Sequence, residues 1–289
     1  MIRPVVNTMR LLINADDAGI DAARNRGIWQ AAQGGLLRNT SVIVHQDGWK
    51  DVCRRLQTER SLSIGLHLNL TAGRPLAKGL KTLVARDGNF FDKFELLSHV
   101  FARKIDTAEV EAEFAAQWEL FAKQGLKPTH VDGHNHVHIL PGFSEAFSTV
   151  VPKGSWVRLP MRQASHTVGP LKENPKLIYT NLDRLQKALN FWSVQAQLVW
   201  QDRFRHVDDF CGTGLSDAPT FKTFKKEIED LKGELCELMV HPGDDWDEDS
   251  VRFSKLKARQ IERDILRSDE LKSFLKDRNA KVVTYSELL

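Results

Sequence analysis

Histidines and carboxylates cluster in four short stretches of the sequence, each at or directly after an apolar run typical of a β-strand. The densest stretch, His130-Val131-Asp132-Gly133-His134-Asn135-His136-Val137-His138, holds four histidines and one aspartate in nine residues. Imidazole is the commonest metal ligand near neutral pH, and a coordinated ring needs its second nitrogen held by a carboxylate or carbonyl. We therefore interpret the stretch as part of a metal site, with an exposed or pH-sensing histidine loop as the alternative. Strand periodicity would face His134, His136 and His138 the same way, so the stretch alone does not single out the ligands.

A pair of adjacent carboxylates follows the first apolar run, in Asn14-Ala15-Asp16-Asp17-Ala18-Gly19. Neighbouring side chains at the end of a strand point in different directions, so one carboxylate can bind a cation while the other handles protons. The alternative is structural, because an aspartate here can also cap the helix that follows.

Three further polar groups occupy similar positions. His67 and Asn69 alternate with leucines in Gly65-Leu66-His67-Leu68-Asn69-Leu70, and a lone histidine in such a strand is often only a hydrogen-bonded, partly buried group. His241 ends a strand before Pro242-Gly243. The rigid Pro-Gly segment would hold the imidazole in one orientation, although the same residues also fit a turn without a functional role. Arg158 suits an anion, sugar hydroxyls or an acidic neighbour.

Together these stretches offer one carboxylate and two histidines from separate strands. Such a ligand set suits a divalent cation that hydrolyses a substrate and keeps positions open for water. The candidate set contains no thiolate, which excludes a structural cysteine-type zinc site. The motifs GxGxxG, GxxxxGK[ST] and GxSxG are absent from the sequence, so dinucleotide, P-loop and serine-hydrolase chemistry have no support.

The elements that must position these residues alternate between strand and helix along the whole chain. This alternation predicts an α/β fold with parallel strands, in the form of a distorted or incomplete (β/α) TIM-like barrel. We expect a single domain over residues 1–289, with an inserted loop around residues 71–94. Predicted strands are 11–13, 40–44, 62–70, 129–131, 157–159, 234–240 and 281–284; predicted helices are 22–33, 49–56, 107–123, 143–150, 182–198, 221–231, 258–266 and 270–275.

Composition excludes several classes of protein. The chain has 289 residues, 42% hydrophobic and 27% charged, which is ordinary for a globular protein that forms its own core. A net charge of +3 is too small to argue for nucleic acid, and no apolar run approaches the ~18 residues of a membrane span. Cys53, Cys211 and Cys236 form no CxxC pair, which indicates a reducing compartment and a cytoplasmic location. A homodimer is left open.

The four motifs, taken in order, resemble the YdjC-like carbohydrate deacetylases, a family that includes the chitooligosaccharide deacetylases. The matching residues are Asn14-Ala15-Asp16-Asp17-x-Gly19, Gly65 to Leu70 with Gly73-x-Pro75, Thr129 to His138, and Glu237-Leu238-Met239-x-His241-Pro242-Gly243. The resemblance runs from about residue 10 to the C-terminus, with little contribution from 161–205. It implies a distorted (β/α) barrel similar to that of other polysaccharide deacetylases.

The resemblance also implies roles for individual residues. A divalent metal would be held by Asp17, His67 and His134, with zinc suiting the set best and magnesium or another divalent ion as the alternative. Asp16 would be the catalytic base and His241 the general acid or oxyanion partner. Asp132 would orient a ligand histidine. The residues expected around them, as further support or as substrate contacts, are His138, Arg158 and Asn69.

The implied reaction is hydrolysis of the acetamide of an N-acetylated amino sugar or short oligosaccharide by metal-activated water. The alternatives are a metal-dependent hydrolase of another amide or of a phosphoester, and a sugar-binding protein without activity. Ala18 departs from the family, which usually has an aromatic residue after the aspartate pair, and this should change the floor of the pocket. Four tryptophans could stack on sugar rings or fill the core, namely Trp29, Trp49, Trp156 and Trp246.

Overall fold

The computed structural model describes residues 8–163, 175–215, 219–245 and 256–289, of which 175–183 and 256 are described as backbone. Within these ranges strands and helices alternate as predicted. The strands are β1 (Met9–Ala18), β2 (Asn39–Val42), β3 (Ser63–Leu68), β4 (Val131–Gly133), β5 (Asp209–Cys211), β6 (Leu235–Val240) and β7 (Ala280–Val283). The helices are α1 (Ala22–Gln33), α2 (Trp49–Thr58), α3 (Lys93–Phe101), α4 (Thr107–Ala122), α5 (Phe143–Val150), α6 (Pro175–Trp200), α7 (Phe221–Glu229), α8 (Leu256–Arg267) and α9 (Asp269–Asp277).

The strands form one parallel sheet in the order β4-β3-β2-β1-β6-β5, with β7 also paired to β1. The first half of β1 pairs with β7 and its second half pairs with β2, so the two short strands share one edge of β1. Single parallel bridges at Val157 and Arg205 continue the sheet beyond β4. The prediction of a distorted TIM-like barrel of parallel strands is confirmed, and parallel pairing gathers the carboxyl ends of the strands at one rim.

The central strand β1 is longer than its apolar run, because the buried segment continues from Leu11-Leu12-Ile13 through the polar residues up to Ala18. It lies between β6 on one edge and β2 and β7 on the other, and Leu11, Leu12 and Ile13 are fully buried, as expected for a central parallel strand with both faces covered. Each fully buried leucine or isoleucine contributes about 1.5–3 kcal/mol, enough to fix a strand that also carries buried aspartates. Asp17 near its end has a left-handed backbone, with φ of 71°.

Several local features differ from the prediction. The predicted strand 157–159 is represented by a single parallel bridge at Val157. The histidine-rich stretch is not an extended strand: β4 ends at Gly133 and a 3₁₀ turn follows over His134–Ile139, with left-handed Asn135 (φ 52°) and His136 (φ 58°). The interpretation that His134, His136 and His138 face the same way by strand periodicity is therefore wrong. Helix α3 and strand β5 were not predicted. A three-residue strand such as β5 is too short to show a period.

The loop between β3 and α3 covers the predicted insertion around 71–94 and is held by helix α4. The buried Glu113 carboxylate accepts hydrogen bonds from the backbone N–H groups of Leu76 and Ala77, at 2.9 and 2.8 Å. One turn earlier, Glu109 accepts from the N–H groups of Lys81 and Thr82, each at 2.8 Å. Two carboxylates spaced four residues apart on one helix therefore fix the backbone of a segment whose Leu83 and Phe90 also pack into the core.

None of the helices in the described ranges is both long and apolar enough to cross a membrane.

Candidate functional site

Three side chains from different elements meet at the carboxyl-terminal rim of the sheet. Asp17 comes from β1, His67 from β3, and His134 from the turn after β4. Asp17 Oδ1 lies 2.9 Å from His134 Nδ1 and 3.7 Å from His67 Nε2. One ligand atom from each side chain fits within 4.8 Å of the others, the spacing that a single cation requires. The structure thus brings together the three residues that the family resemblance implied as metal ligands.

The donor atoms of this group are free to bind a cation. Among the described residues, Asp17 Oδ1 and His67 Nε2 are buried and have no partner with hydrogen-bond geometry, although His134 Nδ1 approaches Asp17 Oδ1 as an ion pair. Asp17 is 3% exposed and His67 is 1% exposed, so water does not satisfy them. Buried polar atoms without partners are costly, and two of them facing each other with a third nitrogen beside them are well suited to a shared ion. One carboxylate and two imidazoles fit zinc and related divalent ions.

The ring of His67 is oriented by Asp132. Its Nδ1 lies 2.7 Å from Asp132 Oδ1, an arrangement that places a proton on Nδ1 and directs Nε2 towards the cation position. Burial opposes a charge on the ring, but the carboxylates of Asp132, Asp16 and Asp17 outweigh it and raise the pKa of His67 to about 8. The surroundings that favour a proton on Nε2 equally favour a divalent cation there.

Asp16 is fixed differently from Asp17. Its carboxylate accepts two hydrogen bonds from the Arg158 guanidinium, at 2.6 and 2.8 Å, and one from Asn14 Nδ2 at 2.8 Å. Asp16, His67 and Asp132 also lie close enough to hold a metal ion. Arg158 Nη1 is 2.9 Å from Asp132 as well, so the charge of the guanidinium already compensates this second group. We therefore locate the candidate cation position at Asp17, His67 and His134.

His241 follows β6 directly and is held by helix α8 through its backbone. Its N–H donates to Glu262 at 2.6 Å, and its carbonyl accepts from Arg259 at 3.3 Å. Burial, with the charges of Arg259 and Arg158, lowers the pKa of His241 to about 4, although Asp17 and Asp16 act in the opposite direction. The ring is therefore neutral at neutral pH. Of the two roles predicted for it, a neutral hydrogen-bond donor to an oxyanion fits better than a charged acid.

Two arginines that were not predicted from the sequence flank the metal-ligand candidate Asp17. Its second oxygen, Oδ2, lies 3.1 Å from Arg259 Nη2 and 3.9 Å from Arg24 Nε. Burial opposes ionisation, but the charges of His134 and Arg259 lower the pKa of Asp17 well below its usual value. The carboxylate thus stays charged and directs only Oδ1 towards the histidines.

The remaining predicted residues lie beside the site without joining the cation position. The side chain of Asn69 is used within the adjoining loop, where Nδ2 donates to Ala72 O at 2.8 Å and Oδ1 accepts from Thr71 N at 3.0 Å. His138 is buried with Nε2 2.8 Å from the carbonyl of Arg158, so it supports that segment. Trp29 and Trp49 lie in the core and Trp156 is half-buried beside Tyr285; Trp246 is outside the described residues.

Further residues in the hydrogen-bond network around Asp132 and Arg158 were not predicted from the sequence. Ser41 donates to Asp132 at 2.8 Å, Tyr285 donates to Glu237 at 3.0 Å, and Glu237 accepts two bonds from Arg158. The available signal was a polar residue inside an otherwise apolar strand, as with Glu237 in Leu235-Cys236-Glu237-Leu238. Such a residue cannot remain buried without a partner, which makes it a candidate for the site.

Glu262 should make stability depend on pH. Burial, only partly offset by the His241 N–H and Arg259, raises the pKa of Glu262 to about 7. A carboxyl with a raised folded-state pKa stabilises the fold when protonated, and this stabilisation is lost as pH rises through 7. In the metal-free parent, we expect this group to lower the free energy of unfolding by on the order of 3 kcal/mol between about pH 4.5 and 8. Glu262→Gln should remove this decrease. Urea unfolding across that range measures it.

The control is Glu270→Gln, which changes an exposed carboxyl in the first turn of α9. This variant should keep the parent's pH dependence. An unfolding profile of Glu262→Gln that parallels the parent at every pH would show that folding does not raise the pKa of Glu262.

Comparison with known proteins gives a consistent result. The family model described as YdjC-like protein matches residues 10–277. A carbohydrate deacetylase of Brevibacillus brevis is 29% identical over 282 residues, covering 97% of this chain and 100% of the relative, and one of Homo sapiens is 30% identical over 244 residues, covering 81% and 75%. An Enterococcus faecalis crystal structure described as a cellobiose-phosphate cleavage protein aligns with a TM-score of 0.76 at 22% identity, covering 97% of this chain and 99% of that one.

Proposed function

Because the chain belongs to the YdjC-like family, we propose that it is a carbohydrate deacetylase, which removes the acetyl group from an N-acetylated amino sugar or short oligosaccharide. Relatives named carbohydrate deacetylases align over almost the whole chain and support this activity. The observation that carries the proposal is the meeting of Asp17, His67 and His134 at the rim of the sheet, with the buried carboxylate of Asp16 on the same strand.

The residues proposed to hold the metal are Asp17 through Oδ1, His67 through Nε2 and His134. When bound, a divalent ion polarises the acetyl carbonyl and lowers the pKa of a water molecule in its open position. We propose zinc as the ion, since one carboxylate and two imidazoles match its usual ligands, and magnesium or another divalent ion is the alternative.

Asp16 is the proposed base that removes a proton from the attacking water. Arg158 binds both its oxygens and Asn14 binds one of them, so the carboxylate has a fixed orientation when the proton arrives. A base held in one direction avoids reorganisation during the reaction. Neutral His241 donates a hydrogen bond to the oxyanion. The proton that Asp16 takes from water is the one that the departing sugar amine receives as its bond to the acetyl carbon breaks, either from Asp16 itself or relayed through His241.

The proposed site also argues for one catalytic domain over residues 1–289. Its side chains come from β1, β3, the turn after β4 and the end of β6, with Arg259 and Glu262 added by α8. A chain cut between any of these elements would separate members of the site. A cytoplasmic location stays a prediction.

Acetate release tests the proposed function. Metal-free protein should release acetate from N,N′-diacetylchitobiose or a related N-acetylated sugar only after a divalent ion is added, with zinc the most effective. Generic phosphate esters and N-acetylated amino acids should not be cleaved. If phosphate appears and acetate does not, the protein is a hydrolase of another class; if sugar binds without turnover at any metal concentration, it is a binding protein.

A further inference from the structure

Glu237 is a buried carboxyl group that the proposed reaction does not use. It lies in the middle of strand β6 and its exposure is 0%. Its Oε1 accepts hydrogen bonds from Arg158 Nε at 3.0 Å and Nη2 at 2.7 Å, and its Oε2 accepts one from the Tyr285 hydroxyl at 3.0 Å. Tyr285 is also fully buried and stacks on His130, with ring centroids 3.9 Å apart.

Arg158 is contacted by carboxylates along two edges of its guanidinium plane. The edge formed by Nη1 and Nη2 binds both oxygens of Asp16, and the edge formed by Nε and Nη2 binds Glu237. A planar guanidinium has fixed donor directions, so binding at one edge determines where the other edge points. The position of Glu237 therefore determines how Arg158 presents its fork to Asp16.

The arrangement of charges around Arg158 supports the same role for Glu237. One guanidinium faces three carboxylates, since Asp132 also lies 2.9 Å from Nη1. Each additional carboxylate takes part of the positive field that would otherwise act on Asp16 alone. Replacing the Glu237 carboxyl would release one edge of the guanidinium and change the direction in which Arg158 holds the Asp16 carboxylate.

We propose that Glu237, held by the Tyr285 hydroxyl, is a positioning residue that sets the orientation of Arg158 and thereby the direction in which Arg158 holds the Asp16 carboxylate. The inference rests on the proposed function, in which Asp16 is the base. Glu237 is fully buried and does not belong to the candidate cation ligands, so its effect should appear in the chemical step. In a purely structural role, it would change stability alone.

The test compares Glu237→Gln and Tyr285→Phe in the metal-loaded enzyme. We expect Glu237→Gln to lower kcat for acetate release by about 10- to 100-fold, the usual effect of losing a partner one contact away from a site. Tyr285→Phe removes one hydroxyl and should lower kcat by about 5-fold. KM and the zinc Kd, measured by calorimetry, should stay within about threefold for both variants, since no cation ligand is touched.

Trp156→Phe is the matched control, because Trp156 packs near the Tyr285 ring, with centroids 6.1 Å apart, and has no contact with Arg158 among the described interactions. It should lower Tm while kcat stays unchanged. The inference is overturned if Glu237→Gln and Tyr285→Phe lower Tm but keep the parent kcat, or if they weaken zinc binding.

Asp16→Asn separates this inference from the proposed function. In the Asp16→Asn background, adding Glu237→Gln should cause no further loss of kcat, because the base through which Glu237 acts is already gone. If Asp16→Asn alone keeps the parent activity, the assignment of the base fails. If Asp16→Asn is inactive and Glu237→Gln is fully active, only the inference about Glu237 fails.

Discussion

Asp16→Asn is expected to bind zinc as the parent enzyme does and to release acetate about 10²- to 10⁴-fold more slowly, the range that a positioned acid–base group contributes. The cation ligands Asp17, His67 and His134 are unchanged, so the metal affinity has no reason to fall. The amide keeps the size of the carboxylate but cannot take a proton from water. The loss should therefore be in kcat, with a smaller change in KM, measured by acetate release and by the zinc content of the purified protein.

The control for this prediction is Asp47→Asn, an exposed carboxylate in the loop after β2. It should keep both activity and metal content. Near-parent activity of Asp16→Asn would remove Asp16 from the role of base. Loss of zinc from Asp16→Asn would instead make it a cation ligand and favour the second acidic group, in which Asp16 and Asp132 lie close to His67.

The fold could be predicted from the sequence because its signals are local. Apolar runs such as Leu11-Leu12-Ile13 alternate with helical patterns, and parallel pairing then places every strand end at one rim. For the same reason Asp17 and His67, each one residue before the end of its strand, could be expected near each other. The choice of His134 among the neighbouring histidines needed the family resemblance. The turn that separates it from His136 depends on left-handed residues that no strand pattern reveals.

The contacts that support the site could not be predicted in the same way. Arg259 reaches Asp17 across 242 residues of sequence, and Tyr285 reaches Glu237 from close to the C-terminus. An arginine on a helix is usually solvated, and nothing in its local sequence says that the helix packs on the rim. Glu237 was the exception that carried a signal, because a charge in the centre of a buried strand requires a partner.

Asp17→Asn should weaken zinc binding by more than about 100-fold, beyond the 10- to 100-fold typical of losing a residue that only supports a ligand. Asp17 Oδ1 is the only anionic atom in the group of three, so the substitution removes the charge that attracts the cation. Arg259 and Arg24 remain beside the new amide and no longer have a carboxylate between them and the ion. Acetate release should fall below detection at zinc concentrations that saturate the parent.

A graded series makes the assignment of this ligand specific. Asp47→Asn should leave the zinc Kd unchanged, and Asp132→Asn should raise it about 10- to 100-fold because Asp132 only orients His67. Asp17→Asn should raise the zinc Kd more than either of these variants. Excess zinc should restore part of the activity of Asp132→Asn but little of the activity of Asp17→Asn. If Asp132→Asn weakens binding more than Asp17→Asn does, the cation lies on the Asp132 side of His67. The 2.9 Å approach of Asp17 to His134 would then be an ordinary ion pair.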